Sequence, residues 1–246
     1  MQLAAKMVNL VRRSSTPEQW REWLKTPLYY AARKGEWDLV KALVESGADV
    51  NGAVTRVGGC SNTALHEAAW NDHPAGLQEL LRAGADTEVT TAAGYTALHA
   101  AAGWGCEAAV KTLLGAGAAV HAKTADEGEQ TTLHLACDNG YSAMVKVLLD
   151  SGASVHIKIA GGAYKDETAV HIAAARGRTE VVRQLLDAGA IVDAGGGLGW
   201  TALHVATDNG HLQVVRQLVS AGANVEATGD THDTPLHWRL IMGMWR

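Results

Sequence analysis

Residues 96–102 read TALHAAA, and residues 201–207 read TALHVAT. Five related heptapeptides, TPLYYAA, TALHEAA, TTLHLAC, TAVHIAA and TPLHWRL, begin at residues 26, 63, 131, 168 and 234. Successive copies are 33 to 37 residues apart, and each of the first six is followed by a Gly-Ala pair 21 residues after its threonine. A fixed period of this length indicates a repeat architecture, in which units stack on one another instead of surrounding a single core.

Each repeat predicts two helices and an extended loop. The threonine is a good N-cap, and proline is tolerated after it, as in Thr26-Pro27. The Ala pair keeps the first helix thin enough for its neighbour to approach, and a glycine such as Gly140 ends it in a left-handed turn. Apolar residues three or four apart, such as Val145 and Leu148, then predict the second helix. The remaining residues of each repeat are expected to form a projecting hairpin.

These repeats resemble the ankyrin repeat family, whose signature is T-P-L-H-x-A with a period near 33 residues. The resemblance covers residues 26–246 and implies an all-α solenoid of helix-turn-helix units with projecting β-hairpin loops. Six full repeats begin at residues 26, 63, 96, 131, 168 and 201, and a partial seventh begins at 234. Two positions depart from the pattern: Tyr29 replaces the histidine of the motif, and Asp72 replaces the glycine after the first helix.

The two ends of the chain differ from the repeats. Residues 1–25 are expected to form an N-terminal helical capping segment, because Thr16, Pro17 and Gln19 fit a capping box. Its buried stripe is predicted to contain Trp20, Trp23 and Leu24.

The seventh copy stops without a second helix or a polar closing face, although the terminal repeats of a solenoid need one for solubility. Two interpretations follow: the chain is a fragment or a truncated product, or its uncapped C-terminus self-associates. Otherwise a monomer is expected.

Composition excludes several classes of protein. A content of 47% hydrophobic and 19% charged residues argues against disorder. The net charge of −5 does not favour binding to nucleic acid, and no apolar run approaches the length of a membrane span. Cys60, Cys106 and Cys137 are far apart, with neither zinc-binding nor dense disulfide spacing. We therefore expect an intracellular protein, cytoplasmic or nuclear, with no signal peptide and no direct membrane insertion.

Six of the eleven histidines occupy the fourth position of the heptapeptide: His66, His99, His134, His171, His204 and His237. Equivalent positions in a stack lie roughly 10 Å apart, whereas each zinc ligand must come within about 2 Å of the metal. They are therefore expected to bond threonine and backbone groups. The glycine-rich run 195–199 lacks the lysine and hydroxyl residue of a phosphate loop, since Trp200 follows it. No catalytic residue, metal or cofactor is expected.

Two sets of positions vary most between repeats: the residue before each threonine, and the pair that ends the first helix. The corresponding positions of ankyrin proteins typically contact partners, so the resemblance implies a non-catalytic scaffold that binds a partner protein through its concave face and hairpin tips. The candidate residues are Lys25, Arg33, Lys34, Asn62, Trp70, Asn71, Tyr95, Trp104, Gln130, Asp138, Asn139, Glu167, Arg176, Trp200, Asp208 and Asn209.

Within this set, Trp70, Tyr95 and Trp104 are predicted to form one apolar patch, since aromatic residues are enriched at interfaces. Packing over neighbouring alanines is the alternative. The longer hairpins 53–61, 124–129 and 159–166 are a second candidate surface, against simple tolerance of loop length. They carry Arg56, Asp126, Glu127, Tyr164 and Lys165. A different function also stays open, in which the chain is the targeting or regulatory part of a larger enzyme, channel or ubiquitin-ligase subunit.

Overall fold

The computed structural model describes residues 16–55, 61–126, 128–230 and 232–235. Some of the sequence-based expectations lie outside the described residues. They concern residues 1–15, the tip of the first long hairpin with Arg56 and Cys60, the side chain of Glu127, and the closing segment with His237.

Six helix pairs account for most of the described chain. In chain order they are α1 (Pro17–Lys34) with α2 (Trp37–Glu45), α3 (Ala64–Trp70) with α4 (Pro74–Arg82), α5 (Ala97–Trp104) with α6 (Glu107–Gly115), α7 (Thr132–Asn139) with α8 (Ser142–Asp150), α9 (Ala169–Ala175) with α10 (Thr179–Asp187), and α11 (Ala202–Asp208) with α12 (Leu212–Ser220). The predicted all-α fold is confirmed.

The chain divides into two compact units, residues 1–119 and 120–246. In the first unit α1 packs on α3 and α3 on α5, with α4 and α6 behind them. In the second unit α7, α9 and α11 pack in the same order, backed by α8, α10 and α12. The first helices pack closely because they meet through alanines, for example Ala32, Ala69 and Ala101, which have no exposed surface.

Five of these first helices, α3, α5, α7, α9 and α11, begin at a capping box formed by a threonine and a histidine. In each, the threonine side chain receives the histidine N–H, and the histidine Nδ1 receives the threonine N–H; the pairs are Thr63–His66, Thr96–His99, Thr131–His134, Thr168–His171 and Thr201–His204. The N-cap prediction is therefore confirmed for these five threonines.

The same imidazoles connect one repeat to the next through Nε2. His66 lies 2.9 Å from the carbonyl oxygen of Tyr95, and His204 lies 3.1 Å from that of Asp233. Because Nδ1 accepts from a backbone N–H, Nε2 must carry the hydrogen and donate it to the carbonyl. The predicted structural role of these histidines is confirmed, and it requires the neutral ring.

A second periodic contact was not predicted. Four residues after Gly47, Gly84, Gly117 and Gly189, a side chain accepts the backbone N–H of a residue in the next repeat. The observed pairs are Asn51 with Asp86 (2.8 Å), Glu88 with Ala119 (3.0 Å), His121 with Ser154 (3.0 Å) and Asp193 with Asn224 (3.0 Å). These bonds align the loops within each unit, as the histidines align the helices.

Two expectations for the first repeat are wrong. Thr26 does not begin a helix, because α1 is already capped at Thr16 and runs through Pro27. Trp23 is not part of the buried stripe, since 60% of its surface is exposed. The stripe follows helical spacing through Trp20, Leu24 and the next turn. The division at residues 25 and 26 remains a prediction that no break in the helix marks.

The predicted turns are confirmed at the ends of the first helices. Gly35, Gly105 and Gly140 have φ near +75°, which glycine adopts without steric penalty. Asp72 takes the same conformation with φ +51°, and its carboxylate accepts the N–H of Ala109 at 2.9 Å.

Only a small sheet is present among the described residues. Strands β1 (Val54–Thr55) and β2 (Ser61–Asn62) pair antiparallel, with Val54 opposite Asn62. The other long loops have a single bridge between Lys123 and Thr131, and short 3₁₀ turns at Gly162–Tyr164 and Gly197–Gly199. The loops are therefore turns for the most part, and the expected hairpin pairing is limited to the first.

Substitution of Gly76 should test how closely the helices pack. A Cβ at this position of α4 would lie 2.1–2.3 Å from ring atoms of Trp37. We expect Gly76→Ala to lower the free energy of unfolding by about 1–3 kcal/mol, measured by urea denaturation. Gly103→Ala is the control, since nothing lies within 4 Å of a Cβ at that position. This substitution should raise the free energy of unfolding by about 0.5 kcal/mol. Stabilisation by both variants would contradict the packing.

The buried histidines predict a stability that depends on pH. Burial lowers the pKa of His134 and His171 from 6.5 to about 4, and it lowers the pKa of His66 and His204 as well. The unfolded chain then binds more protons between about pH 6.5 and pH 4, so the free energy of unfolding should fall as the pH falls through this window.

Glu167 acts in the opposite direction, because burial raises its pKa to about 7. One carboxyl group opposes four imidazoles, so the fall should dominate. Urea denaturation at pH 7.5 and pH 5 measures it, and His171→Gln should show a shallower dependence than the unsubstituted chain. Equal stability at the two pH values would refute the neutral-ring requirement.

Candidate functional site

The first unit exposes a stacked pair of tryptophans. Trp70 ends α3 and Trp104 ends α5, and their ring centroids are 5.1 Å apart with 26° between the planes. Their exposed fractions are 42% and 60%. Trp70 is the seventh residue after Thr63 and Trp104 is the eighth after Thr96, so both lie in the last turn of their helices, one position apart in the repeat. The thin helices allow the two rings to come into contact. Part of the predicted patch is thus formed.

Tyr95 lies elsewhere. Its ring is half-buried and edge-on to His99, with centroids 5.9 Å apart. The structure therefore places this ring against a capping box, where it covers the buried imidazole.

A buried carboxylate lies beside Trp70, and the sequence-based reasoning did not identify it. Glu67 is only 4% exposed, although it carries an ionisable group. Its Oε1 accepts the hydroxyl hydrogen of Tyr29 at 2.7 Å and an amide hydrogen of Asn62 at 3.0 Å. Its Oε2 lies 3.8 Å from Nε of Arg33, which is too far for a hydrogen bond.

Two signals in the sequence point to this site. Glu67 occupies the variable position of the motif, where the following four repeats have Ala, Leu, Ile and Val. Tyr29 is also the residue that replaces the motif histidine. The two departures explain each other, because the phenol of Tyr29 can donate to the carboxylate of Glu67 in the next repeat.

The carboxylate forms part of a small open cavity. Its volume is about 130 Å³, and it is lined by Arg33, Glu67, Trp70 and Asn71. The amide nitrogen of Asn71 donates to the carbonyl of Glu67 at 2.8 Å. The cavity thus combines an aromatic wall, a fixed negative charge and a movable positive charge.

The other candidates of the first unit differ in exposure. Arg33 and Lys34 are exposed, whereas Lys25 is half-buried and pairs with Glu22. Asn62 is buried, and its amide is committed to Glu67. Asn62 does not present its side chain to a partner, because β2 turns it inward.

In the second unit, several candidate side chains bond one another. Arg176 donates from Nε to Asp138 at 2.7 Å and from Nη2 to the hydroxyl of Tyr164 at 2.6 Å. These bonds raise the pKa of the Arg176 guanidinium, chiefly through Asp138. A partner that used these groups would have to replace the internal contacts.

The remaining candidates of the second unit also serve the fold. Asn139 and Asn209 are exposed, and each donates its amide to a carbonyl one turn earlier in its own helix, at 3.0 Å and 2.9 Å. Trp200 is half-buried and stacks on His204, with centroids 5.9 Å apart. Gln130, Glu167 and Asp208 are half-buried.

The long loops are anchored at their bases. Thr124 and Ile159 are buried, while Asp126 and Lys165 are exposed at the tips. The hydroxyl of Tyr164 faces Arg176, so the third long loop reaches back to the end of α9. Accessible tip residues are therefore few among the described positions.

The described residues contain no group of three or more His, Cys, Asp or Glu side chains placed to hold a metal ion. Among the described helices, none combines the length and apolar character needed to cross a bilayer.

Comparison with known proteins gives a consistent family. A family model described as ankyrin repeats (3 copies) matches residues 3–91, 65–159 and 157–229. Similar solved structures include the ankyrin repeat domain of Bcl-3, titled a unique member of the IkappaB protein family, with a TM-score of 0.76 and 28% identity. That of human ASB11 gives 0.72 and 28%. The matches cover 86% of this chain and 92% and 90% of those chains.

The curated relatives match over shorter regions. FPV031 of fowlpox virus (strain NVSL), named for its ankyrin repeats, is 42% identical over 76 residues, which is 31% of this chain. A rice protein (Oryza sativa subsp. japonica) named as a probable E3 ubiquitin-protein ligase, XBOS33, is 41% identical over 92 residues, or 37% of this chain. The matched regions span 21% and 17% of the lengths of these relatives.

Tyr29 should be important for stability because it donates to a buried charge. We expect Tyr29→Phe to lower the free energy of unfolding by about 1.5–3 kcal/mol, measured by urea denaturation. The neighbouring Tyr30 is exposed, so Tyr30→Phe should change stability by less than about 0.5 kcal/mol. In a double-mutant cycle, Tyr29→Phe with Glu67→Ala should lose less than the sum of the single effects. Full additivity would exclude the bond.

Proposed function

Because the chain belongs to the ankyrin repeat family, we propose that it is a non-catalytic scaffold that binds a partner protein through the exposed ends of its first helices and its loop tips. The stacked pair of Trp70 and Trp104 is the observation that carries this proposal. Ankyrin repeat domains are in general non-catalytic interaction modules, so membership of this family supports the same proposal.

The tryptophan pair has the properties of an interface anchor. Two large apolar rings remain in water in the free chain, and their burial in a complex would be favourable by the hydrophobic effect. The rings are already fixed by mutual stacking, so binding would cost little side-chain entropy. Tryptophan is also the residue type most enriched where interfaces lose most affinity on substitution. The polar residues around the pair, including Arg33 and Asn71, suit the rim of such an interface.

The other exposed candidates are proposed as the periphery of the contact. Lys34 is exposed at the end of α1 in the first unit. Asn139 and Asn209 present the corresponding helix ends in the second unit. Because their amides are already bonded within the helices, we assign them a small share of the affinity and a role in orientation.

The cellular setting is part of the same proposal. Cys106 and Cys137 are free and buried, and burial raises the pKa of both thiols. Unpaired, protonated thiols suit a reducing compartment, so we place the scaffold inside the cell, in the cytoplasm or nucleus. We propose no cofactor, catalytic residue or nucleic-acid partner for this chain.

A second proposal keeps the alternative function. The match to the rice protein named as a probable E3 ubiquitin-protein ligase favours a targeting role, in which these repeats select the substrate of a larger ligase. It predicts that the transcript encodes a further enzyme, channel or ligase domain. Sequencing the full-length transcript tests this, and a reading frame that ends at Arg246 would reject it.

The scaffold proposal predicts a specific loss of binding. The chain and its Trp70→Ala/Trp104→Ala variant are used as paired baits, and proteins captured by only the unsubstituted chain are identified by mass spectrometry. For a purified partner, the double substitution should weaken affinity by about 30-fold or more, the range of interface hot spots.

The matched control is Trp23→Ala, because Trp23 is as exposed as Trp104 but lies away from the stacked pair on α1. It should bind the partner normally. Both variants must unfold at a temperature close to that of the unsubstituted chain. Undiminished binding by the double variant would remove the tryptophan pair from the interface, and equal loss in the control would mean that binding is nonspecific.

A further inference from the structure

The charges around the cavity beside Trp70 differ in how firmly they are held. The carboxylate of Glu67 cannot move, because its side chain is buried and Oε1 is fixed by Tyr29 and Asn62. The guanidinium of Arg33 can move, since its side chain is 43% exposed and makes no hydrogen bond to the carboxylate at 3.8 Å. The permanent charge of the cavity is therefore negative.

Oε2 of Glu67 is the unused part of that charge. Within the described residues its ion-pair partner is Arg33 at 3.8 Å, so one oxygen of a mostly buried side chain borders the open cavity without a hydrogen-bonded donor. A carboxylate oxygen in this condition favours a ligand that brings donors and positive charge. The side-chain oxygen of Asn71 supplies a second acceptor at the cavity wall.

From this geometry we infer that the cavity receives an arginine side chain of the partner, with Glu67 as its counter-ion and the indole of Trp70 as its stacking surface. This inference rests on the proposed function and specifies the partner's chemistry. The incoming guanidinium takes the position of Arg33, which moves out into solvent. This exchange is possible because Arg33 is partly exposed and makes no hydrogen bond to the carboxylate, and because the incoming guanidinium replaces its charge.

Arginine fits this site better than lysine. Its guanidinium is planar and stacks on an indole face, while its five donors can reach two acceptors at once. An ammonium group would satisfy Glu67 but would leave the aromatic wall with a smaller contact. The cavity volume of about 130 Å³ corresponds to roughly four water molecules, which is room for the tip of one side chain.

An acidic side chain would fit Arg33 but not the rest of the site. It would bring a second negative charge next to a carboxylate that cannot withdraw from it. Like charges at this distance in a partly desolvated site repel strongly. The arrangement thus selects against acidic residues as firmly as it selects for arginine.

A blocked tripeptide, acetyl-Gly-Arg-Gly-amide, is the direct probe. It is titrated into the full chain labelled with ¹⁵N, and the indole N–H signals of Trp70 and Trp104 are followed, with Trp23 as internal reference. We expect saturable shifts of the first two signals and a dissociation constant on the order of 1–10 mM for this single side chain. The Trp23 signal should not move.

Three comparison peptides test the assignment of charge and shape. The citrulline peptide has the same planar shape without charge and should bind about tenfold more weakly. The lysine peptide should also bind more weakly than arginine, and the glutamate peptide should not shift the signals. Equal binding of arginine and citrulline, or stronger binding of glutamate, would overturn the inference.

Two substitutions in the cavity give opposite predictions. Glu67→Gln should reduce affinity for the arginine peptide about tenfold, because the fixed charge is lost. Arg33→Ala should increase it severalfold, because the competing cation is removed, whereas Lys34→Ala, a neighbouring exposed cation, should have little effect. If Glu67→Gln does not fold, the gain in Arg33→Ala still decides the question, and no gain there refutes the inference.

The outcomes separate this inference from the proposed function. Loss of partner capture in the tryptophan variant, together with no response to the arginine peptide, would retain the scaffold and reject the arginine site. A response to the peptide with normal capture by the tryptophan variant would show that the cavity binds arginine but would remove both the cavity and the tryptophan pair from the partner interface, and the inference about the partner would then be rejected.

Discussion

The fold depends on one neutral imidazole in nearly every repeat. Its Nδ1 accepts the N–H of the capping threonine, and its Nε2 donates to a carbonyl oxygen of the following loop, as in His66 with Tyr95. One side chain therefore caps a helix and sets the position of the next repeat. Both backbone groups are buried, so loss of the ring would leave the threonine N–H and the loop carbonyl without hydrogen-bond partners. In the repeats that have the histidine, this connection sets the register of the short helices.

The same constraint determines where side chains are free to vary. The N-terminal turn of each first helix is used by the capping box, and its middle is used by the alanines. The last turn has neither role, so its side chains project to the surface at adjacent positions of neighbouring repeats. Trp70 meets Trp104 there, and Asp138 meets Arg176 in the second unit; in both pairs the second residue lies one position later in its repeat. Contacts between the last turns of neighbouring first helices therefore follow from the stacking of the repeats.

Much of this was predictable from sequence, and the failures have physical causes. The threonine caps and glycine turns depend on local backbone chemistry, which the motif specifies. The prediction for Thr26 was wrong because the preceding residues are themselves helical, so a residue suited to an N-cap lies inside the helix. The prediction for Trp23 was wrong because the buried stripe runs through Trp20 and Leu24 and leaves Trp23 outside it. Glu67 was missed because its partner, Tyr29, lies 38 residues away, and no local pattern joins the two.

Tyr29 and Glu67 also make the helix ends of the two units differ in how completely their charged groups are hydrogen-bonded. In the second unit, Arg176 satisfies Asp138 and Tyr164 at hydrogen-bonding distance, so the charges at the helix ends are neutralised internally. In the first unit the phenol of Tyr29 holds the carboxylate of Glu67 inward, beyond hydrogen-bonding reach of Arg33. The replacement of one motif histidine by tyrosine thus leaves a buried acceptor beside an exposed aromatic pair. A partner gains most where the free chain is least satisfied, and this argues for contact centred on the first unit.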